Sequence, residues 1–258
     1  MVSAKLRAKV LKLAHESKEG HIGSSLSAID LVNCIYTKFE VGSEIDDTLF
    51  VLSKGHASLA LYAVLHQHDF ITDSELYSFC QAGSRLGGHP DSLKVPTVTA
   101  STGSLGHGLP FAVGMAFAKK RADKSNPVIC LVGDGECNEG TTWESSLLAV
   151  THHLDNLILI VDLNKSGERA IPIESIMNGF FRSLDFNVDC IDGHSTKEIY
   201  GALDRAVSSS GTGRPTAILA RTIKGQGVSF MENNPEWHHK WPDAVSLQLA
   251  LQELGDSN

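Results

Sequence analysis

Asp134 stands between Gly133 and Gly135, where the apolar run "VICLV" (128–132) ends. A turn there needs glycine, but it does not need an acid. In open parallel sheets, ligands bind beyond the carboxyl ends of the strands. Flanking glycines let the backbone approach a ligand closely. The helix that follows offers free N–H groups and the positive end of its dipole, which suits a phosphate. A carboxylate in that place repels phosphate unless a divalent cation lies between them, so the pattern predicts a metal. Further oxygen ligands arrive one strand–helix–strand unit later, where "NLILIVDLNKSG" ends in Asp162 and Asn164. Asn164 follows Asp134 by 30 residues (164 − 134). Carboxylate, amide and backbone carbonyl oxygens with phosphate oxygens suit Mg2+ or Ca2+, with Mn2+ a further candidate, and not zinc. Gly-Asp-Gly alone is a weak signal and reads first as an ordinary turn; the asparagine at this spacing carries the metal reading.

The histidines are the second chemical signal. There are 12, of which His21, His56, His89 and His238 sit in glycine-containing or loop contexts. Histidine donates to phosphates and hydroxyls and exchanges protons near neutral pH. Four of them converging over strand ends would form a polar, proton-handling pocket. His15, His66, His68, His152 and His153 fall on predicted helices and read as surface or core-edge residues. His194, in "DGHS", reads as part of a turn and helix start.

The elements that must position these groups are legible from periodicity. Helix-spaced apolar residues predict helices over 3–16 and 26–38, joined by the loop "KEGHIGSS". "LFVLSKGHAS" (49–58) reads as a short strand running into a Gly-His turn and then a helix, "LALYAVLHQ". Residues 81–108 are rich in Gly, Ser and Thr and read as a long irregular segment of the kind that carries function. "GLPFAVGMAFAKKRA" reads as a helix. Strands then alternate with helices: strand 128–132, helix 139–152, strand 157–162, helix 174–183, strand 186–191, helix 196–208, strand 215–220. A last helix, 243–254, follows the aromatic-rich loop "FMENNPEWHHKWP". This alternation predicts an α/β fold with a parallel sheet flanked by helices, built as one domain over 1–258.

Composition excludes several classes. A net charge of −8 argues against nucleic acid as the main partner. Five cysteines without a CxxC pair read as reduced thiols. The start lacks a signal-peptide core, and "LILIV" is strand length, far short of the ~20 residues that span a membrane. A cytoplasmic protein is expected. A GxGxxG opening a helix after a strand is absent, which argues against a dinucleotide-binding domain.

Gly-Asp-Gly followed by Asn resembles the thiamine diphosphate and magnesium signature of thiamine-dependent enzymes. "EGHIGSSLS", "LSKGHAS", "GGHPD", "STGSLGHGLPFAVGMA", "GDGECNEG" and "IDGH" occur in the order and spacing of transketolases, from about residue 3 onward. The resemblance implies a diphosphate-binding domain of the thiamine diphosphate-binding fold. It implies Asp134, Asn164 and the backbone carbonyl of Ser166 as metal ligands. His21 and His56 match histidines near the diphosphate and reaction centre, and His89 matches the one that contacts donor hydroxyls. His238 matches a loop histidine that closes over the site, with its neighbour His239 the rival. Gly103 and Leu105 match the loop that packs on the aminopyrimidine, and His107 stands where glutamine is common. Gly133, Gly135 and Glu136 fall in the cofactor motif, while Ser166 is small where isoleucine is frequent. Glu139 matches an interface glutamate that communicates with a neighbouring active site; its other reading is an acid complementing a helix dipole.

No segment resembles the pyrimidine-binding or C-terminal domains. The resemblance therefore implies the N-terminal subunit of a split transketolase, inactive alone and completed by a partner chain, as an α2β2 assembly. The implied reaction moves a two-carbon ketol unit from a ketose or ketose phosphate to an aldose. The alternatives are a thiamine diphosphate subunit using a 2-oxo acid donor or an acyl-carrier acceptor, and a non-catalytic regulatory or binding subunit.

Overall fold

The computed structural model describes residues 2–166 and 173–256. Residues 1, 167–172 and 257–258 of the expected 1–258 span lie outside the described residues. In chain order the elements are α1 (Val2–Ser17), α2 (Ile22–Lys38), β1 (Val41–Gly42), β2 (Thr48–Leu52), α3 (Ser58–Gln67), the single turn α4 (Asp73–Leu76) and α5 (Gly108–Arg121). There follow β3 (Val128–Gly133), α6 (Gly140–Thr151), β4 (Leu157–Leu163), α7 (Ile173–Ser183), β5 (Asn187–Asp192), α8 (Thr196–Ser208), β6 (Thr216–Arg221) and α9 (Ala244–Glu253).

Among the described residues the strands form one parallel sheet in the order β1-β2-β3-β4-β6-β5. The central strands are apolar on both sides because both faces are covered. Alternate residues feed two cores: Ile129 and Leu131 of β3 join residues of α1, α2, α3 and α8, whereas Val128, Cys130 and Val132 join residues of α5, α6 and α7. The order explains the division. The chain steps one way from β1 to β4, passes β6's place to reach β5 at the edge, then turns back. Right-handed crossovers put the returning helix, α8, on the opposite face from α6 and α7. The crevice between the carboxyl ends of β4 and β6 lies where this direction reverses, the place where open sheets of this kind hold ligands.

The expected strands and helices are present, with shifted ends. Helix α2 begins at Ile22 rather than at residue 26. Gly23, Ser24 and Ser25 read as loop residues by propensity, but they are buried here, and a Cβ on Gly23 would lie 3.1 Å from Lys224 and 3.2 Å from the Trp237 carbonyl. Packing against the 224–237 segment outweighs propensity. Two elements were not expected: β1, only two residues long, and α4, a single turn that the Thr72–Glu75 capping box opens. His68 and His152 are helix C-caps and His153 lies beyond the helix at φ +52°, so these three are not within helices as expected. Segment 81–107 is irregular yet anchored: Thr102 Oγ1 donates to the Leu52 carbonyl (2.7 Å), Ser58 Oγ to Gly88 (2.9 Å) and Tyr62 OH to His89 (3.2 Å).

Candidate active site

Strand β3 ends at Gly133, whose register partner on β4 is Asp162. Asp134 and Asn164 thus emerge from adjacent strands, both buried. Asp134 accepts from the Gly135 N–H at Oδ1 (2.7 Å) and opens a short 3-10 turn, 135–138. Asn164 donates to Ser27 Oγ (3.2 Å) and Asp162 Oδ2 (3.3 Å), and its Oδ1 accepts from the Ser166 N–H (3.1 Å). The loop after β4 therefore curls around the amide. A Cβ on Gly135 would meet nothing within 4 Å, so the space over this turn is open.

Below the turn, Asp162 is fully buried and anchors the site. Its Oδ2 pairs with Lys54 and accepts from Ser27 Oγ (2.7 Å), and its Oδ1 accepts from Thr222. Lys54, inside the "SKGH" motif, is itself only 1% exposed. Glu136 is equally buried. Its Oε1 accepts from Ser53 and from the Gly106 N–H (2.8 Å), and its Oε2 from the Gly133 N–H (3.2 Å). Burial pushes this carboxyl above its ordinary range against those hydrogen bonds. Glu136 thus ties the 103–106 loop to the Gly-Asp-Gly turn. Gly106 has φ +80°, and a Cβ there would lie 2.6 Å from the Glu139 Cβ, so only glycine fits. Glu139 is exposed at the N-cap position of α6. Leu105 is half-buried in the same loop, and its carbonyl meets the His107 ring (Nδ1, 3.0 Å), which folds back on its own turn.

Three of the four expected histidines gather. Ring centroids of His21 and His56 are 5.2 Å apart, His21 and His238 5.4 Å, and His56 and His238 6.5 Å. His89 is close enough to His21 to affect its charge, and its ring lies against Gly103, where a Cβ would come within 3.0 Å. Burial, then neighbouring histidines, lower the His21 pKa to about 4. Burial, then the Lys54 charge, lower that of His56 to about 2. Both rings are neutral near pH 7, able to accept or donate one hydroxyl proton. His239 also touches His21 (4.7 Å) but is paired with Glu19 at the rim (2.8 Å). His238 instead receives Lys224 Nζ at Nδ1 (2.6 Å), and Lys224 Nζ also reaches Ser166 Oγ (3.1 Å).

A cavity of about 450 Å³ is lined by Asn164, Lys165, Ser166, Lys224, Asn233 and His238 among others. Oxygen donors and two lysines in one lining suit a metal-held diphosphate. Lys54 and Lys224 escaped the sequence reading, because a lysine by type reads as a solvated surface charge. The glycines in "SKGH" and "IKGQG" were the available signal. His194 was read only as a turn residue; its ring also reaches Asp30 Oδ2 (2.8 Å) on α2.

Comparison with known proteins agrees with this geometry. Residues 1–255 match the family described as "Transketolase, thiamine diphosphate binding domain". An apulose-4-phosphate transketolase subunit of Actinobacillus succinogenes is 35% identical, covering 97% of this chain and 94% of the relative. Human transketolase is also 35% identical over 97% of this chain, but the match covers 41% of the human protein. The crystal structure of transketolase from Campylobacter jejuni superposes with a TM-score of 0.89 at 29% identity, covering 99% of this chain and 43% of that one. The chain belongs to the transketolase family and carries its thiamine diphosphate-binding domain. Among the described residues, no helix is long and apolar enough to cross a membrane.

Proposed function

We propose that this chain is the N-terminal subunit of a split, thiamine diphosphate-dependent transketolase. It moves a two-carbon ketol unit from a ketose or ketose phosphate to an aldose acceptor. The observation that carries the reading is that Asp134 and Asn164 leave adjacent strand ends and that Asn164 lines one cavity with His238, a member of the His21–His56–His238 cluster. Support for the split comes from extent: the match runs nearly end to end with apulose-4-phosphate transketolase subunits but spans two-fifths of human transketolase. The names of those shorter relatives make apulose 4-phosphate the first donor to try.

In this reading Asp134, Asn164 and the Ser166 carbonyl hold Mg2+, and Lys224 and His238 flank the diphosphate. Thiamine diphosphate, when bound, supplies a carbanion and an electron sink for cleaving the carbon–carbon bond. The chain's own residues orient and exchange protons. Neutral His21 and His56 take and return hydroxyl protons, and His89, braced on Gly103, contacts donor hydroxyls. Leu105 and Gly103 pack on the ring system. Glu139, resting on Gly106, faces a neighbouring protomer, where a partner chain completes an α2β2 assembly. The five free cysteines fit a reducing, cytoplasmic setting.

The test is ketol transfer by the purified chain alone and with its co-purified or adjacently encoded partner. Turnover is expected only from the pair, and Asp134→Ala should weaken Mg2+-dependent cofactor binding more than ~100-fold, beyond the ~10–100-fold typical of outer-shell changes. Turnover by the lone chain refutes the split reading; undiminished cofactor binding refutes the metal assignment.

A further inference from the structure

Lys224 sits in a loop that follows β6, where its own carbonyl accepts from the Asn233 N–H (2.8 Å) and residues 223, 225 and 226 are each held by another part of the fold. The Ile223 N–H donates to His194 Nε2 (2.9 Å), the Gly225 N–H donates to the Gly23 carbonyl on α2 (3.1 Å), and the Gln226 carbonyl accepts from Arg7 Nε on α1 (3.0 Å). Two of these anchors meet at one carboxylate. Asp30 on α2 accepts from Arg7 and from His194 Nδ1 (2.8 Å). Arg7 Nη2 stands 3.5 Å from the same Nδ1, beyond a well-formed hydrogen bond. Asp30 is 4% exposed and Arg7 6%. Burial opposes the Asp30 charge, yet His194 and Arg7 hold its carboxyl below the ordinary range.

The geometry fixes the tautomer of His194. Nε2 accepts a backbone N–H, so it carries no proton, and Nδ1 must carry the proton it gives to Asp30. An imidazolium would face the Ile223 N–H with a second donor. The arrangement resembles the way a carboxylate orients a metal-bound imidazole, with a backbone amide in the metal's place.

We propose that His194 is a positioning residue that sets where the Lys224 ammonium stands in the pocket, acting through the Ile223 amide as a neutral Nδ1–H imidazole braced by Asp30 and Arg7. Lys224 lies between the anchored residues 223 and 225, and its side chain spans from that clamp to Ser166 and His238. The ligand it serves is an anionic diphosphate or phosphate group. This part of the inference rests on the pocket being the cofactor diphosphate site. A histidine that touches no substrate would thereby control diphosphate affinity.

The full chain with Mg2+ and inorganic pyrophosphate as the probe tests this. His194→Phe keeps the ring shape but removes the acceptor; His194→Gln offers an amide oxygen in its place. With one hydrogen bond lost, His194→Phe should speed Ile223 amide exchange and weaken pyrophosphate binding, each by about three- to tenfold. His194→Gln should recover most of both. In a Lys224→Met background, His194→Phe should cause no further loss of binding. A nitrogen-edited spectrum of the unsubstituted chain should show His194 protonated at Nδ1 only, and this readout stands even if His194→Phe does not fold. Unchanged Ile223 exchange, a binding loss that persists without Lys224, or the other tautomer overturns the clamp. An unsubstituted chain that shows the clamp but binds no pyrophosphate overturns the diphosphate reading instead.

Discussion

Lys54 and Asp162, 108 residues apart, form an ion pair with side-chain exposures of 1% and 0%. Asp162 also accepts from Ser27, Asn164 and Thr222, so α2, the loop after β4 and the segment after β6 all converge on it. The pair is the footing of the Gly-Asp-Gly turn, since Gly133 faces Asp162 across the sheet and lies near the Lys54 side chain.

Breaking such a pair strands a buried charge. Lys54→Met is expected to cost about 3–5 kcal/mol of stability, whereas replacing both partners with apolar residues of similar volume should cost less. Urea denaturation of the single and double variants decides the matter. A loss below about 1 kcal/mol in Lys54→Met, the level of an exposed pair, would show that the pair is not structural.

In the proposed function His89 contacts donor hydroxyls. His89→Ala should raise the donor KM far more than it changes cofactor affinity, by about 10-fold or more for one lost hydrogen bond to a charged or strongly polar partner. Gly103→Ala should act in the same direction, because its new methyl group meets the His89 ring within about 3.0 Å and Gly103 has φ +152°. Steady-state kinetics of the assembled enzyme reads both. An unchanged donor KM in His89→Ala argues against the role.

The buried, neutral histidines make stability fall in acid. His21 is lowered to about 4 and His56 to about 2. The unfolded chain titrates both near ~6.5, so between that value and the folded pKa it binds more protons than the native protein. Their contribution is present in full above the unfolded value and is lost as the pH drops through this window. Thermal melts between pH 7.5 and 5 should show a shallower fall for His56→Asn and for His21→Asn than for the unsubstituted chain. Parallel pH profiles in all three would count against burial in the neutral form.

The sheet and the Asp134–Asn164 pair were legible because both are local in sequence. Strand and helix periods are visible in short windows, and one strand–helix–strand unit fixes the interval between two neighbouring strand ends. The support beneath them was not legible. Lys54 reaches Asp162, and Arg7 reaches Gln226, through the folded interior; beyond the glycine that follows Lys54, their local sequence does not distinguish them from surface charges. The choice between His238 and His239 was likewise a matter of direction. One ring turns to Lys224 and the other to Glu19, and neighbouring residues of one type cannot announce which. The start of α2 was missed for a related reason: its first turn is helical because the 224–237 segment packs on it.

Arg7 and Gln226 are 219 residues apart, and His21 forms a parallel backbone bridge with Lys240. On a ribosome the early helices therefore emerge long before the residues that complete their contacts. Contacts of such separation form late because the loop they close is costly in entropy. Neither the histidine cluster nor the contacts around Lys224 can accordingly close before residues 222–240 have left the ribosome. Until the 222–240 segment is released, the apolar faces of α1 and α2 depend on partial packing or on chaperones for cover.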